Sequence, residues 1–204
     1  MSDGSRLSDA DLIRDAVDGD AMAFRRIVER YEPRVAATVI GMLGRSPEVE
    51  DVGQETFIRL HRALPSFRGD AALGTYITRI AINQSLKAIR KRQSWRARFF
   101  SRDDDEYDAV EPIVEDDPIA DSERSRIVHE ALQHLNPDHR AVVVLRMLEE
   151  YSTRETAELL GIAEGTVMSR LSRAMARLEK ILGPIIREPD IINEPGRLNH
   201  DDDE

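Results

Sequence analysis

AALGTYITRIAINQSLKAIRKRQSWRARFFSR, residues Ala71–Arg102, is the stretch on which the reading of the chain turns. It holds no Asp or Glu, but it holds Arg79, Lys87, Arg90, Lys91, Arg92, Arg96, Arg98 and Arg102. Leu73, Tyr76, Ile77 and Ile80 stand at i, i+3, i+4 and i+7, one stripe of an amphipathic helix. Ile82, Leu86 and Ile89 extend the apolar set. The other face is basic and carries Thr75, Thr78, Asn83, Gln84 and Ser85. Solvated helix faces normally mix signs. A uniformly positive one points to a polyanion as partner.

The segments before it are helical too. Ser8–Asp11 has the form of a capping box, opening a helix to about Val17. Gly19 ends that helix and Asp20 can cap the next, where Phe24, Ile27, Val28 and Tyr31 form a stripe. Pro33 is expected to interrupt or kink it, with Val35, Val39, Ile40 and Leu43 apolar beyond. Ser46-Pro47 reads as an N-cap followed by proline at the first helical position. This predicts a helix to about Leu64, stopped by Pro65. Val49, Val52, Thr56, Leu60 and Leu64 face inward. Glu48, Glu50, Asp51, Gln54, Glu55 and Arg59 stay outside, with Phe57 and Ile58 partly so. Pro65–Ala72 is a loop holding Phe67, Arg68 and Gly69, and the basic helix follows, giving out near Trp95. The expectation is one all-α domain over residues 1–95.

Residues 96–122 pass from basic to strongly acidic and contain Pro112 and Pro118. Charge that one-sided does not fold alone, so this is read as a flexible acidic linker. A second helical domain is expected over 123–185. Ile127, Val128, Ala131, Leu132 and Leu135 mark its first helix. Asn136-Pro137 starts the second, with Val142–Leu148 at its core. Ser152–Glu155 is another capping box, and that helix ends near Leu160 at Gly161, which suits a left-handed cap. The last helix runs from about Ala163 to Leu182, where Gly183-Pro184 stops it. Residues 186–204 read as a disordered acidic tail.

Charge distribution matters more here than its sum. The net charge is −10. Asp103–Glu123 alone contributes 11 acids with no Lys or Arg, and Glu188–Glu204 contributes 7 acids with one Arg. The rest of the chain is therefore positive. Cysteine is absent, which excludes disulfides and cysteine-ligated metal and fits a cytoplasmic protein. No apolar run approaches a membrane span of about 20 residues, and Met1–Ser8 lacks the pattern of a signal peptide. His61, His129, His134, His139 and His200 have no metal spacing, and no glycine-rich phosphate loop occurs. No cofactor and no metal site is expected.

Ala157, Gly161 and Val167 are spaced as the small residue, turn glycine and locking apolar residue of a helix-turn-helix. On the second helix Val167, Leu171, Ala174, Leu178 and Ile181 point inward. Ser169, Ser172 and Arg173 point most directly away, flanked by Arg170 and Arg177. Arginine suits guanine edges and phosphates, and serine suits adaptable contacts, in a major groove.

Asp51–Phe57, Ala63–Asp70 and Thr75–Asn83 resemble the first domain of a bacterial extracytoplasmic-function (ECF) sigma factor of the sigma-70 family. Leu135–Pro137 with Arg140, Ser152–Gly161 and Gly165–Leu171 resemble its second. The resemblance spans about Asp11–Leu182. It implies two small helical domains, the second a helix-turn-helix domain, and promoter-directed transcription initiation without catalysis by the chain itself. It implies core RNA polymerase, through its β′ and β subunits, and promoter DNA as partners, with an anti-sigma factor as a further one. By resemblance, Asp51, Gln54, Glu55 and Phe57 match the helix that docks on polymerase. Phe67, Arg68, Tyr76, Arg79, Asn83 and Lys87 match the reader of the melted −10 element, and Thr166, Ser169, Arg170, Ser172, Arg173 and Arg177 the reader of the −35 element. Tyr76 replaces a frequent Trp, Gly74 a larger residue, and Met168 a usual Lys or Arg. Two other functions fit parts of the chain. A stand-alone helix-turn-helix regulator leaves Asp51–Phe57 and Phe67–Asn83 unexplained. A helical nucleic-acid enzyme lacks a catalytic cluster.

Overall fold

A computed structural model describes residues 7–99 and 123–187. Among them there are eight α-helices and no strand: α1 (Asp9–Val17), α2 (Ala21–Leu43), α3 (Glu48–Ala63), α4 (Leu73–Phe99), α5 (Glu123–Gln133), α6 (Pro137–Val143), α7 (Thr153–Leu160) and α8 (Glu164–Arg187). A 3₁₀ turn, Leu64–Ser66, follows α3, and a π-helical turn, Val144–Leu148, follows α6. The expected linker and tail lie outside the described residues apart from 96–99 and 186–187, which close α4 and α8.

Several starts and stops are as their residues dictate. Ser8, Asp20 and Asn136 each accept a backbone N–H in the first turn of the helix they precede. Ser152 and Glu155 form a reciprocal capping box. Gly161 ends α7 at φ 66°, ψ 36°, a left-handed conformation that costs glycine little.

Several expectations need correction, and Thr78 and Ser85, expected on the exposed face of α4, are fully buried. Pro33 does not interrupt α2, which runs unbroken from Ala21 to Leu43. A helix-interior proline costs about 3 kcal/mol. Beyond it Val35, Val39, Met42 and Leu43 are all buried, at about 1.5–3 kcal/mol each, so burial wins. Ser46 does not cap α3: its hydroxyl donates to the Glu48 carboxylate at 2.8 Å, and Pro47 takes the cap position without a side-chain bond. α4 continues past Trp95 to Phe99, because Arg96–Phe99 contains no breaker. Gly183-Pro184 does not stop α8, which continues to Arg187. There a proline removes only one hydrogen bond in a last turn that Ile181 and Leu182 already anchor.

α1–α4 pack around Leu12, Ile27, Val39, Met42, Leu60, Ile77 and Ile82, all fully or nearly fully buried. The same core takes in Ala141, Val144, Leu145, Tyr151 and Leu159 from the second half. α6 is the hub. Ala141, Val142, Val143, Val144 and Leu145 are all buried, although five consecutive residues point all round a helix. Ala141, Val144 and Leu145 enter the first-half core. Val143 joins α5 and α8, and Val142 packs with Ala157 and Val167 of the helix-turn-helix. The π turn ends with the Glu149 N–H on the Val144 carbonyl and the Tyr151 N–H on the Leu145 carbonyl, past Glu150 at φ 58°.

Polar groups complete the seam between the halves. Arg140 is 4% exposed and donates to the Met42 carbonyl, the Gln133 side chain, and the Gln133 and Leu135 carbonyls, at 2.5–3.1 Å. Glu149, its side chain 7% exposed, accepts from Thr38 at 2.9 Å and faces Arg34 at 3.3 Å. Tyr151 donates to Thr78 at 3.2 Å. Gly74 has a place in this network. A Cβ there would lie 2.7 Å from the Arg34 guanidinium and 3.1 Å from the Tyr31 ring, so its small size lets Arg34 cross α4 toward Glu149.

Candidate nucleic-acid interface

The first surface starts at the 3₁₀ turn. The Phe67 N–H bonds the Leu64 carbonyl, which fixes the end of the turn. Its ring lies 5.1 Å from that of Tyr76, tilted by 54°. Both rings are half-buried against the core. Arg68 is exposed beside them, and Gly69 at φ 76° turns the chain into α4. Tyr76, Arg79, Asn83, Lys87 and Arg90 then follow at three- and four-residue steps along one flank of α4. All but Tyr76 are exposed. Phe67, Arg68, Tyr76, Arg79, Asn83 and Lys87 thus come together as a strip with aromatic rings at one end and cations along the rest. Aromatic rings stack on unpaired bases, and cations follow the backbone.

The second surface is on α8. Val167 and Ala174 are fully buried, and Leu178, Leu171 and Ile181 complete the inward stripe. The exposed arc has two flanks. Thr166, Arg170, Arg173, Arg177 and Lys180 follow one another on the first at three- and four-residue steps. Glu164, Met168, Ser172, Met175 and Glu179 occupy the second. Ser169 lies between them and donates to the Thr166 carbonyl at 3.1 Å. Met168, 64% exposed, therefore belongs to the acidic flank, away from the cations.

Two residues missed from sequence border the basic flank. Asp138 holds Arg170 at 3.3 Å, leaving that side chain 25% exposed. His139 has its pKa lowered, first by burial and then by Arg170 and Arg173, with Asp138 opposing. The Asn136-Pro137 start places both residues in the first turn of α6, but only the packing of α6 on α8 brings them to the arginines.

A third surface is acidic. Asp51, Gln54 and Glu55 stand on the outer side of α3, Gln54 donating to Glu50 and Glu55 pairing with Arg59 at 2.7 Å. Phe57 turns toward the core and packs against it. Ile58, one residue on and 44% exposed, is the apolar residue in line with Asp51, Gln54 and Glu55. Its i+4 and i+3 spacing from Gln54 and Glu55 was the available signal. Among the described residues no cluster of His, Asp and Glu is arranged to hold a metal, and no helix is long and apolar enough to cross a membrane.

Family models for Sigma-70 region 2 and Sigma-70 region 4 match residues 27–95 and 125–178. The chain is 31% identical over 187 residues to the ECF RNA polymerase sigma-E factor of Haemophilus influenzae, covering 89% of this chain and 98% of that one. It is 34% identical over 176 residues to the ECF RNA polymerase sigma factor SigM of Mycobacterium tuberculosis, covering 86% and 85%. Among solved structures, CnrH in complex with the cytosolic domain of CnrY matches with a TM-score of 0.59 at 26% identity, over 85% of this chain and 96% of that one. The sigma factor RpoE of Bartonella quintana, solved with the anti-sigma factor NepR, matches in fold with a TM-score of 0.62 at 22% identity, over 78% and 96%. The chain belongs to the ECF family of RNA polymerase sigma factors, with region 2 in its first half and region 4 in its second.

Proposed function

We propose that this sigma factor joins core RNA polymerase through the outer side of α3 and reads the two promoter elements with α4 and α8. The reading rests on one observation: a single chain exposes two separate cationic helical strips and an acidic third face. Asp51, Gln54 and Glu55 offer charge and amide groups for polymerase, with Ile58 as the apolar anchor that Phe57 was expected to be. Phe67, Arg68, Tyr76, Arg79, Asn83 and Lys87 suit a melted −10 strand, since stacking needs unpaired bases. Thr166, Arg170, Arg173 and Arg177 suit the −35 duplex from the major groove, with Ser169 and Ser172 at the margin. The functional division follows the expected units: residues 1–95 for docking and melting, 123–185 for duplex binding, and 96–122 and 186–204 as acidic segments outside both. Polymerase supplies the chemistry, and the chain acts where polymerase and promoter meet, in the cytoplasm. An anti-sigma factor, as bound to RpoE, is a partner class for this chain as well.

The test is transcription from genomic templates by core polymerase with this protein, read by sequencing the transcript starts. Starts must appear that core alone does not make, clustered downstream of a shared pair of motifs. The double variant Asp51→Lys with Glu55→Lys must retain the helical spectrum and lose polymerase capture. Normal capture by the folded variant would move the docking face off α3.

A further inference from the structure

The cations along the basic flank of α8 are not equivalent. Arg173, Arg177 and Lys180 are exposed. Arg170 is drawn in: its Nη2 lies 3.3 Å from an Asp138 carboxylate oxygen, and its side chain is 25% exposed. Among the described residues it is the only cation of that flank held by a carboxylate. The pair spans two helices. Val142 of α6 packs against Val167 of α8, and Arg170 stands one turn beyond Val167, so its side chain reaches the start of α6. The backbone of Asp138 is fixed there by other means. Its N–H donates to the Asn136 side chain at 3.0 Å, in the cap of α6, and a carboxylate suits that first turn. His139, next in sequence, is half-buried beside Arg170 and Arg173, and its lowered pKa keeps it from adding a further positive charge at neutral pH.

We propose that Asp138 determines specificity in duplex reading as a positioning residue acting through Arg170: it holds the guanidinium back from phosphates and leaves it to a base edge that can take its remaining N–H groups. The inference deepens the assignment of the α8 flank to DNA and rests on it. An unheld arginine binds any phosphate within reach, and that attraction carries no sequence information. A guanidinium has five N–H donors in a fixed fork. Asp138 on Nη2 lowers the net charge that a phosphate meets, yet it leaves donors for a guanine edge, which accepts two at once. A phosphate that pulled Arg170 away would leave the carboxylate without its cation beside the DNA backbone, where like charges repel. Asp138 is itself 46% exposed, so that repulsion acts at the surface and weakens with salt. Arg173, Arg177 and Lys180 have no such filter and stay open to base and phosphate alike.

The experiment uses holoenzyme and two DNA probes. One is a promoter identified by its transcript start and randomised over its upstream element, with the bound sequences read out. The other is a short mixed-sequence duplex, bound over a range of salt. The proteins are the parent, Asp138→Asn, Arg170→Gln, the double variant and Asp138→Glu. Asp138→Asn must tighten mixed-sequence binding about threefold at low salt and steepen the slope of log affinity against log salt by about one counterion. It must also flatten, about fivefold or more, the preference at the base pair that Arg170→Gln flattens. In the Arg170→Gln background the same change must do neither, and Asp138→Glu, which keeps the charge, must hold the parental profile. A gain that persists without Arg170 would make Asp138 a simple repeller of phosphate. An unchanged preference in Asp138→Asn would leave it a helix-start residue. Either result overturns the inference. Preferences untouched by Arg170→Gln and Arg173→Gln together would overturn the DNA assignment of the flank, and the inference with it.

Discussion

α4 and α8 are both long, both expose arginine and lysine, and are built differently. α4 contains no acid in Leu73–Phe99 and begins beside two half-buried rings. α8 carries cations on one flank and Glu164, Met168, Met175 and Glu179 on the other. The α4 strip offers stacking and charge together, which suits strands already apart. The α8 flank offers charge and hydrogen-bond donors in a row narrow enough for a groove. A protein with a net charge of −10 can carry both, because screening confines a charge to roughly 8 Å at physiological salt. Local sign, not total charge, then decides what a surface binds.

The difference can be broken most severely at Tyr76 and Arg173. Tyr76→Ala should weaken binding of a single-stranded −10 oligonucleotide in the holoenzyme by about 1–3 kcal/mol. Binding of an upstream duplex should be untouched. Arg173→Ala should do the reverse, costing upstream-element binding about 1–3 kcal/mol per lost base contact. Fluorescence anisotropy with each DNA separates the two, and equal losses on both DNAs would erase the distinction between the helices. A smaller effect is expected for Gly74→Ala. The added methyl overlaps Arg34 and should cost about 1–3 kcal/mol of folding stability, read by urea denaturation, with the α8 duplex affinity unchanged. Met168→Lys should change least. On the acidic flank its cation is too far from the DNA backbone to join it, so the slope of log affinity against log salt should stay within one counterion of the parent.

The last prediction concerns pH. The fold lowers the pKa of His139 through burial and the nearby Arg170 and Arg173. Its neutral form is therefore favoured, and the associated stability is present above the ordinary value near 6.5. It is lost as pH falls through the lowered pKa. DNA phosphates against those arginines would offset their repulsion, so duplex binding should raise the His139 pKa, followed by imidazole NMR. An unchanged titration would place the duplex away from the α6–α8 junction.

Signals that are local in sequence were legible. Ser8, Asp20, Asn136 and Ser152 act through bonds to the next two or three residues, and Gly161 through its own backbone freedom. The stripes of α3 and α8 gave the buried faces, while on α4 the buried face also takes in Thr78 and Ser85, which the pattern placed outside. What escaped depends on distant packing. Pro33 looks like a break only if the burial of Val35–Leu43 is ignored. Ser46 had a competing partner in Glu48. Phe57 and Ile58 are adjacent and both were expected partly outside; Phe57 is half-buried against the core and Ile58 is the more exposed. The π turn at Val144–Leu148 cannot be read from a run of valines and leucines, and without it the burial of Ala141–Leu145 on three sides has no explanation. The site residues of α4 and α8 were legible as positive faces. Their division into flanks needed the helix seated in its core.

The seam also bears on how freely such proteins can be recombined. Val144 and Leu148 of the π turn lie against the place where a Cβ on Gly41 would stand, at 3.0 and 3.2 Å. Arg140 takes a carbonyl from Met42, and Glu149 takes a hydroxyl from Thr38. The halves are therefore matched parts. A hybrid joining this first half to another relative's second half would inherit a bulkier or smaller neighbour at Gly41 and an unanswered guanidinium or carboxylate at the joint. Grafting promoter preference from one sigma factor to another should succeed best when the seam residues Arg34, Thr38, Gly41, Met42, Arg140, Val144 and Glu149 travel as one set.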